Sequence, residues 1–327
     1  MHRTRGLTIS VQLGSGEYAY EVAEGWGELP DGWEMNDVGG VAVDRADRVY
    51  VFNRSEHPMI VFDRDGKFLT SWGEDIFSHP HGAHIGPDDA IYCTDDGDHT
   101  VRKCTLDGKV LLEIGVAGKP APYMSGEPFC RCTHTALSPD GDIYVSDGYW
   151  NARVHKYSPA GVHLLSWGRP GIDPGEFNLP HNISCDADGW VYVADRENHR
   201  IQVFDGDGRL EAVWHGLHRP SGLVQAADSL FYVGEAGTTF DFNRDAPNLG
   251  PRVSIWNSSG TLLARLSTTP SAGVEPGQFL SPHGMAVDSR GDIYVGEVAY
   301  TSWPIRFPDV PRPPKLRSLQ KLTKITA

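Results

Sequence analysis

Long apolar runs are missing from this sequence: nothing approaches the ~18 residues that a membrane helix requires. The opening segment, MHRTRGLTIS, has charge but no apolar stretch behind it, so it does not read as a signal peptide. Basic residues are scarce. The 29 lysines and arginines stand against 43 aspartates and glutamates, for a net charge of −14. No dense Lys/Arg stripe occurs, which makes nucleic acid and anionic membrane surfaces poor partners. Cysteine is scarce as well, and its five copies are an odd number. Cys93 and Cys104, eleven residues apart around a tight turn, could face each other across a hairpin, while Cys130, Cys132 and Cys185 are scattered bystanders. Reduced thiols in a soluble, cytoplasmic chain are the expectation. Helical periodicity of any length is absent too, which points to an all-β fold.

What is present is a repeat. A turn with Asp or Gly, followed by a short β run containing Tyr, occurs six times: DRVYVF, DAIYCT, DIYVSD, WVYVAD, LFYVGE and DIYVGE. The anchoring tyrosines are Tyr50, Tyr92, Tyr144, Tyr192, Tyr232 and Tyr294, at intervals of 42, 52, 48, 40 and 62 residues, which bracket the period of propeller blades. Each unit holds four β runs separated by turn chemistry, as in GAHIG, AIYCTD, TVRKCT and VLLEIG of the second. Six such units predict a six-bladed β-propeller, a closed ring of small sheets with short edges. After Tyr294 only two clear strands remain around the proline-rich PIRFPDVPRPP. The N-terminal YEVAEGWG matches the fourth-strand pattern of FLTSWG and LLSWG. An N-terminal strand at about residues 18–27 is therefore expected to complete the last blade beside a C-terminal strand at about 316–326. Residues 1–327 then form one propeller domain.

An antiparallel blade places its B–C turns and the loops leading to the next blade on one face. That face receives the long loops EDIFSHPH, VAGKPAPYMSGEPFCRC, GRPGIDPGEFNLPH and AGTTFDFNRDAPNLGP, and unequal loops on a rigid scaffold mark the functional side. Eleven residues before each anchoring tyrosine stand Gly39, His81, Thr133, His181, Ser221 and His283. Histidines at one phase of alternate blades are related by a third of a turn, so His81, His181 and His283 can converge on the axis. The bland alternative is that each Pro-His step is a turn whose imidazole bonds a nearby carbonyl. Imidazole suits zinc, and three protein ligands leave a coordination position open. His134 lies one residue off phase and should point elsewhere.

Arg54 and Arg196 each follow an anchoring tyrosine by four residues in blades one and four, and Tyr149 follows its own by five. Two guanidiniums beside a metal would bind a carboxylate or polarise a carbonyl, and the tyrosine is a candidate base. Simple pairing of Arg54 with Glu56, and of Arg196 with Asp195 or Glu197, is the plainer alternative. Glu235 and Glu297 could face the same basin, although Asp95, Asp147 and Asp195 at the equivalent phase argue for a structural role. His57, His99 and His199 fall in turns of this face and are expected to be exposed.

The blades resemble NHL repeats in PGEFNLPHNISCDADGWVYVADRENHRIQVFD and PGQFLSPHGMAVDSRGDIYVGE. Within that group the chain resembles the peptidyl-α-hydroxyglycine α-amidating lyases from about Val38 to Val298. The segments are VFNRSEHP with Arg54, PHGAHI with His81, VSDGYWNARV with Tyr149, LPHNISCDADGWVYVADRENHRIQVF with His181 and Arg196, and SPHGMAVD with His283. The resemblance implies zinc on the three histidines and cleavage of a carbinolamide, R-CO-NH-CH(OH)-COOH, to an amide and glyoxylate. Tyr149 would help deprotonate the hydroxyl, with Arg54 and Arg196 orienting the carboxylate. Ser281 and Gly284 depart from the family's methionine and aspartate; that aspartate serves a structural calcium, so Gly284 puts calcium in doubt. Trp150, Tyr192 and Phe204 stand where the family has disulfide cysteines. No monooxygenase domain accompanies the propeller, so the substrate is expected to be a small hydroxylated or amide-like molecule. A metal-dependent hydrolase of a lactone or amide, and a non-enzymatic NHL interaction scaffold, are the alternatives.

Overall fold

The six repeated tyrosines recur because each performs the same two tasks. Their rings are buried between blades, and five of the six hydroxyls donate to an aspartate in the preceding A–B turn: Tyr50 to Asp44, Tyr92 to Asp88, Tyr192 to Asp186, Tyr232 to Asp228 and Tyr294 to Asp288. Tyr144 donates to the Gly206 carbonyl instead. A tyrosine thus fills core volume while its polar tip is satisfied at the rim. The computed structural model describes residues 10–238 and 240–326; residues 1–9, on which the signal-peptide reading rests, lie outside them.

Six antiparallel sheets form the blades. The innermost A strands are Val38–Val43, Pro80–Ile85, Cys132–Leu137, Pro180–Cys185, Pro220–Gln225 and Pro282–Val287, and consecutive A strands pack against one another around the ring. Blade six is closed as expected. Tyr20–Ala23 pairs with Leu319–Lys324, which pairs with Ile293–Glu297. A two-residue strand, Gln12–Leu13, adds a fifth member outside it. The tryptophans of the WG steps pack rather than present themselves to a ligand: Trp26 lies on Phe62 and Tyr294, and Trp167 on Phe204.

Three residues after five of the anchoring tyrosines stands a buried carboxylate: Asp95, Asp147, Asp195, Glu235 and Glu297. Each reaches back to a backbone N–H seventeen residues earlier, on Ser78, Cys130, Asn178, His218 and Leu280 respectively. These contacts pin the loop entering each blade, so the carboxylates are structural and not members of the basin. Glu235 also pairs with the buried Arg252 at 2.8 Å. Glu235→Ala would strand that guanidinium and leave the His218 N–H without its acceptor. It is expected to cost ~3–5 kcal/mol, read as a lowered urea midpoint.

The expectation of no helix fails at one place. Ala299–Arg306 forms helix α1 between the B and C strands of blade six, despite Pro304 inside it. Asp37 accepts the Tyr300 and Thr301 N–H groups at 2.7 and 3.2 Å, satisfying donors that the first turn leaves free. Trp303 packs with Leu280, Ala299 and Leu316. Tertiary contacts hold a segment that its sequence alone would leave as loop. No helix among the described residues is long and apolar enough to cross a membrane.

Candidate metal centre

In all six blades the residue eleven before the tyrosine sits at a register shift between strands A and B, between Pro80 and Gly82 in blade two, for example. Such a bulge residue leaves the ladder, which frees its carbonyl and re-aims its side chain. The even blades use the side chain and the odd blades use the carbonyl. Nδ1 of His81 donates to the Thr133 carbonyl, that of His181 to Ser221 and that of His283 to Gly39, each at 2.7 Å. The carbonyl-bonded alternative and the convergent arrangement therefore hold together: the bond at Nδ1 turns Nε2 inward.

The three ring centroids lie 4.6 to 4.9 Å apart, all three residues are buried, and one nitrogen from each lies within 4.8 Å of the others. They are the only such group among the described residues. Burial, with the Arg54 charge nearby, pushes the His81 imidazole down to about 3. Burial lowers His181 and His283 far below the usual histidine value as well, helped by Arg196 and the neighbouring rings. All three are neutral near pH 7, so three lone pairs face one point. His134 turns away and bonds the Thr135 carbonyl at 2.8 Å.

Tyr149 places its hydroxyl 3.1 Å from Nε2 of His81 and 3.2 Å from Nε2 of His181. One hydroxyl proton can serve only one of two acceptors. The remaining lone pairs lack donors, a conflict that a divalent cation on the axis would resolve. An all-nitrogen set of this kind fits zinc and its transition-metal neighbours better than calcium or magnesium. Calcium on the pattern of the family does not fit. Gly284 has no carboxylate, and a Cβ there would come within 2.6 Å of the Gly40 backbone.

A cavity of ≈ 240 Å³ opens beside the histidines and is lined by Arg54, Tyr149, Arg196, Arg219, His283 and Arg306 among others. The arginines are both paired and cavity-lining. Arg54 meets Asp37 at 3.5 Å, not the expected Glu56, and its Nε donates to the Pro80 carbonyl. Arg196 bonds Glu197 at 2.8 Å, and Glu197 also takes Arg219 at 2.8 Å. Burial opposes the charge of Arg196, yet Tyr149 and Glu197 hold its pKa above the ordinary guanidinium value. Arg131 and Arg196 lie over the Tyr149 ring at 4.8 and 5.6 Å.

Arg131, Arg219 and Arg306 escaped the sequence reading. The first two have one signal in common, a histidine in the preceding blade. His99 Nδ1 accepts the Arg131 N–H and His199 Nδ1 the Arg219 N–H, each at 3.1 Å. His99 is buried where exposure was expected, whereas His199 is exposed as expected, and the two set the backbone of Arg131, which stacks on Tyr149, and of the cavity-lining Arg219.

The NHL repeat family matches residues 129–157 and 177–204. With six four-strand blades and the N-terminal closure already evident, that settles the class. The chain is an NHL-repeat propeller. In sequence it is similar to peptidyl-alpha-hydroxyglycine alpha-amidating lyase 1 of Drosophila melanogaster, 32% identical over 250 residues, 71% of this chain. It is also similar to NHL repeat-containing protein 3 of Homo sapiens, 31% identical over 231 residues, 67% of this chain. The chain spans 45% of the length of the fly protein and 66% of the human one. Among solved structures, a gluconolactonase from Xanthomonas campestris superposes with a TM-score of 0.62 at 13% identity, over 98% of this chain and 99% of that one. That likeness is one of fold. All five cysteines of the NHL propeller are free, Cys93 and Cys104 included.

Proposed function

We propose that this NHL propeller is a zinc-dependent lyase that splits a small α-hydroxy amide carrying a carboxylate. The observation behind the reading is the convergence of three neutral imidazoles with the Tyr149 hydroxyl set between two of them. His81, His181 and His283 would hold the ion, which when bound supplies Lewis acidity toward the substrate hydroxyl. Arg54 and Arg196 bind and orient the carboxylate. The Tyr149 oxygen accepts the substrate's hydroxyl proton and passes its own phenolic proton toward the leaving group as the carbon–oxygen double bond forms and the carbon–nitrogen bond breaks. The departing amide nitrogen takes a proton back, so R-CO-NH-CH(OH)-COO⁻ yields R-CO-NH2 and glyoxylate. The burial of the site keeps water from competing.

Glyoxylate release from α-hydroxyhippurate is the direct test. Turnover is expected with the zinc-loaded protein, with loss on chelation and return on adding zinc. Retained turnover under chelation would defeat the metal reading, and turnover of no carbinolamide at all would defeat the lyase. The departures at Ser281 and Gly284 carry a second reading, hydrolysis of a lactone or amide on the same face; opening of a lactone by the zinc-loaded protein would favour it. A non-enzymatic scaffold, as the third reading, requires no turnover of any of these and no bound transition metal. Free cysteines agree with a reducing, cytoplasmic setting.

A further inference from the structure

The positive charge around the cavity exceeds what the chain itself neutralises. Four guanidiniums line it: Arg54, Arg196, Arg219 and Arg306. Two carboxylates touch them. Asp37 meets Arg54, and Glu197 is shared by Arg196 and Arg219. Four cations less two anions leaves two positive charges without a partner, in a chain whose overall balance is −14.

Arg306 is the clearest of these. It is 4% exposed, it ends helix α1, and its Nη1 donates to the Arg244 carbonyl at 3.1 Å. Among the described residues no carboxylate forms an ion pair with it; Asp245 is the acid whose charge it feels, and that residue lies on the surface. Burial, with Arg219 and Arg244 nearby, pushes the guanidinium down to about 10, so it stays charged at neutral pH. Burying a charge without a partner is costly. A fold that nonetheless anchors α1 through Asp37 and Trp303 sets that charge beside the cavity on purpose or at a loss.

Two guanidiniums close on Gly237. The Nη1 of Arg219 donates to the Gly237 carbonyl at 3.0 Å, and a Cβ on Gly237 would come within 2.7 Å of Nη2 of Arg306. This pair stands on the side of blades five and six, with Thr238, Ser281 and Ser302, whereas Tyr149, Arg54 and Arg196 belong to blades three, one and four. Glu197 ties Arg219 to Arg196, so the cations form one continuous array, and Arg306 on the blade-six side is its member without a carboxylate partner among the described residues.

We infer that the substrate is a small dianion, with a second carboxylate on its acyl side that is received by Arg306 with Arg219. This rests on the lyase reading for the identity of the first carboxylate, but the second subsite can be tested without turnover. A cavity of ≈ 240 Å³ leaves room for a short acyl group beside the first carboxylate.

The test uses two unreactive ligands on the zinc-loaded protein, N-succinylglycine and N-(4-methylpentanoyl)glycine, in which an isopropyl group of similar shape replaces the terminal carboxylate. Calorimetry is expected to give at least about tenfold tighter binding of the succinyl compound, the scale of a charged hydrogen bond. Arg306→Met should bring the ratio of the two affinities to about one, and Arg306→Lys should keep part of it, which separates charge recognition from damage to α1. Equal affinities in the unaltered protein, or a ratio unchanged by Arg306→Met, would overturn the inference. N-succinyl-α-hydroxyglycine then reports on the reading beneath it. Selective binding of the diacid without glyoxylate release would remove the lyase and leave the subsite standing.

Discussion

His181→Ala is expected to empty the metal centre: zinc falls from about one equivalent per chain to near zero, because two imidazoles cannot hold the ion as three do. Carbinolamide turnover should drop by more than the ~10- to 100-fold that loss of an outer-shell partner costs. The measurement is metal analysis of purified protein beside a glyoxylate assay, with circular dichroism to show that the ring is intact. The fold should survive, since the histidine sits at a bulge outside the strand ladder and its one backbone partner is the Ser221 carbonyl. Ser221→Ala is the informative companion. It keeps that carbonyl and removes only a hydroxyl 3.3 Å from Nδ1, so zinc content should hold. Full zinc in the His181→Ala protein would mean that the imidazoles meet for structural reasons alone.

The ring and its three histidines were legible because a propeller repeats geometry at a fixed phase. A tyrosine that must fill the same gap six times leaves the same letter six times, and three histidines at one phase can only meet on the axis. The carbonyls that orient them left no such mark. Gly39, Thr133 and Ser221 are three different residues, since a backbone group makes no demand on the side chain that carries it. Helix α1 was hidden for another reason. It is eight residues long with a proline inside it, and what fixes it is Asp37, over 260 residues earlier, and a small cluster around Trp303. Arg306 was invisible with it. Arg54 found its acid in Asp37 and not in Glu56 because antiparallel pairing of blade one's A and B strands sets Val38 opposite Asn53 and Asp37 beside Arg54, a proximity that counting neighbours in sequence does not reveal.

Tyr149→Phe should separate chemistry from metal binding. Zinc content and thermal stability are expected to stay, while kcat for the carbinolamide falls ~10²–10⁴-fold, the usual contribution of a positioned acid–base group, with KM nearly unmoved. The reason lies in the hydrogen-bond arithmetic. The hydroxyl stands 3.1 and 3.2 Å from two nitrogens that both offer lone pairs, so it is a poor structural bridge and phenylalanine loses little there. With those lone pairs engaged in coordination, the hydroxyl has no acceptor left among the ligands and is available to the substrate's own O–H. The ring itself is held independently by Arg131 and Arg196 against its faces, and Arg131 is tied down by the buried Asp96. Phenylalanine preserves that stacking, so a loss of kcat would belong to the single oxygen atom. Undiminished kcat in Tyr149→Phe would move the proton transfer to another group and reduce Tyr149 to a wall of the cavity; a loss expressed in KM instead would make it a binding contact.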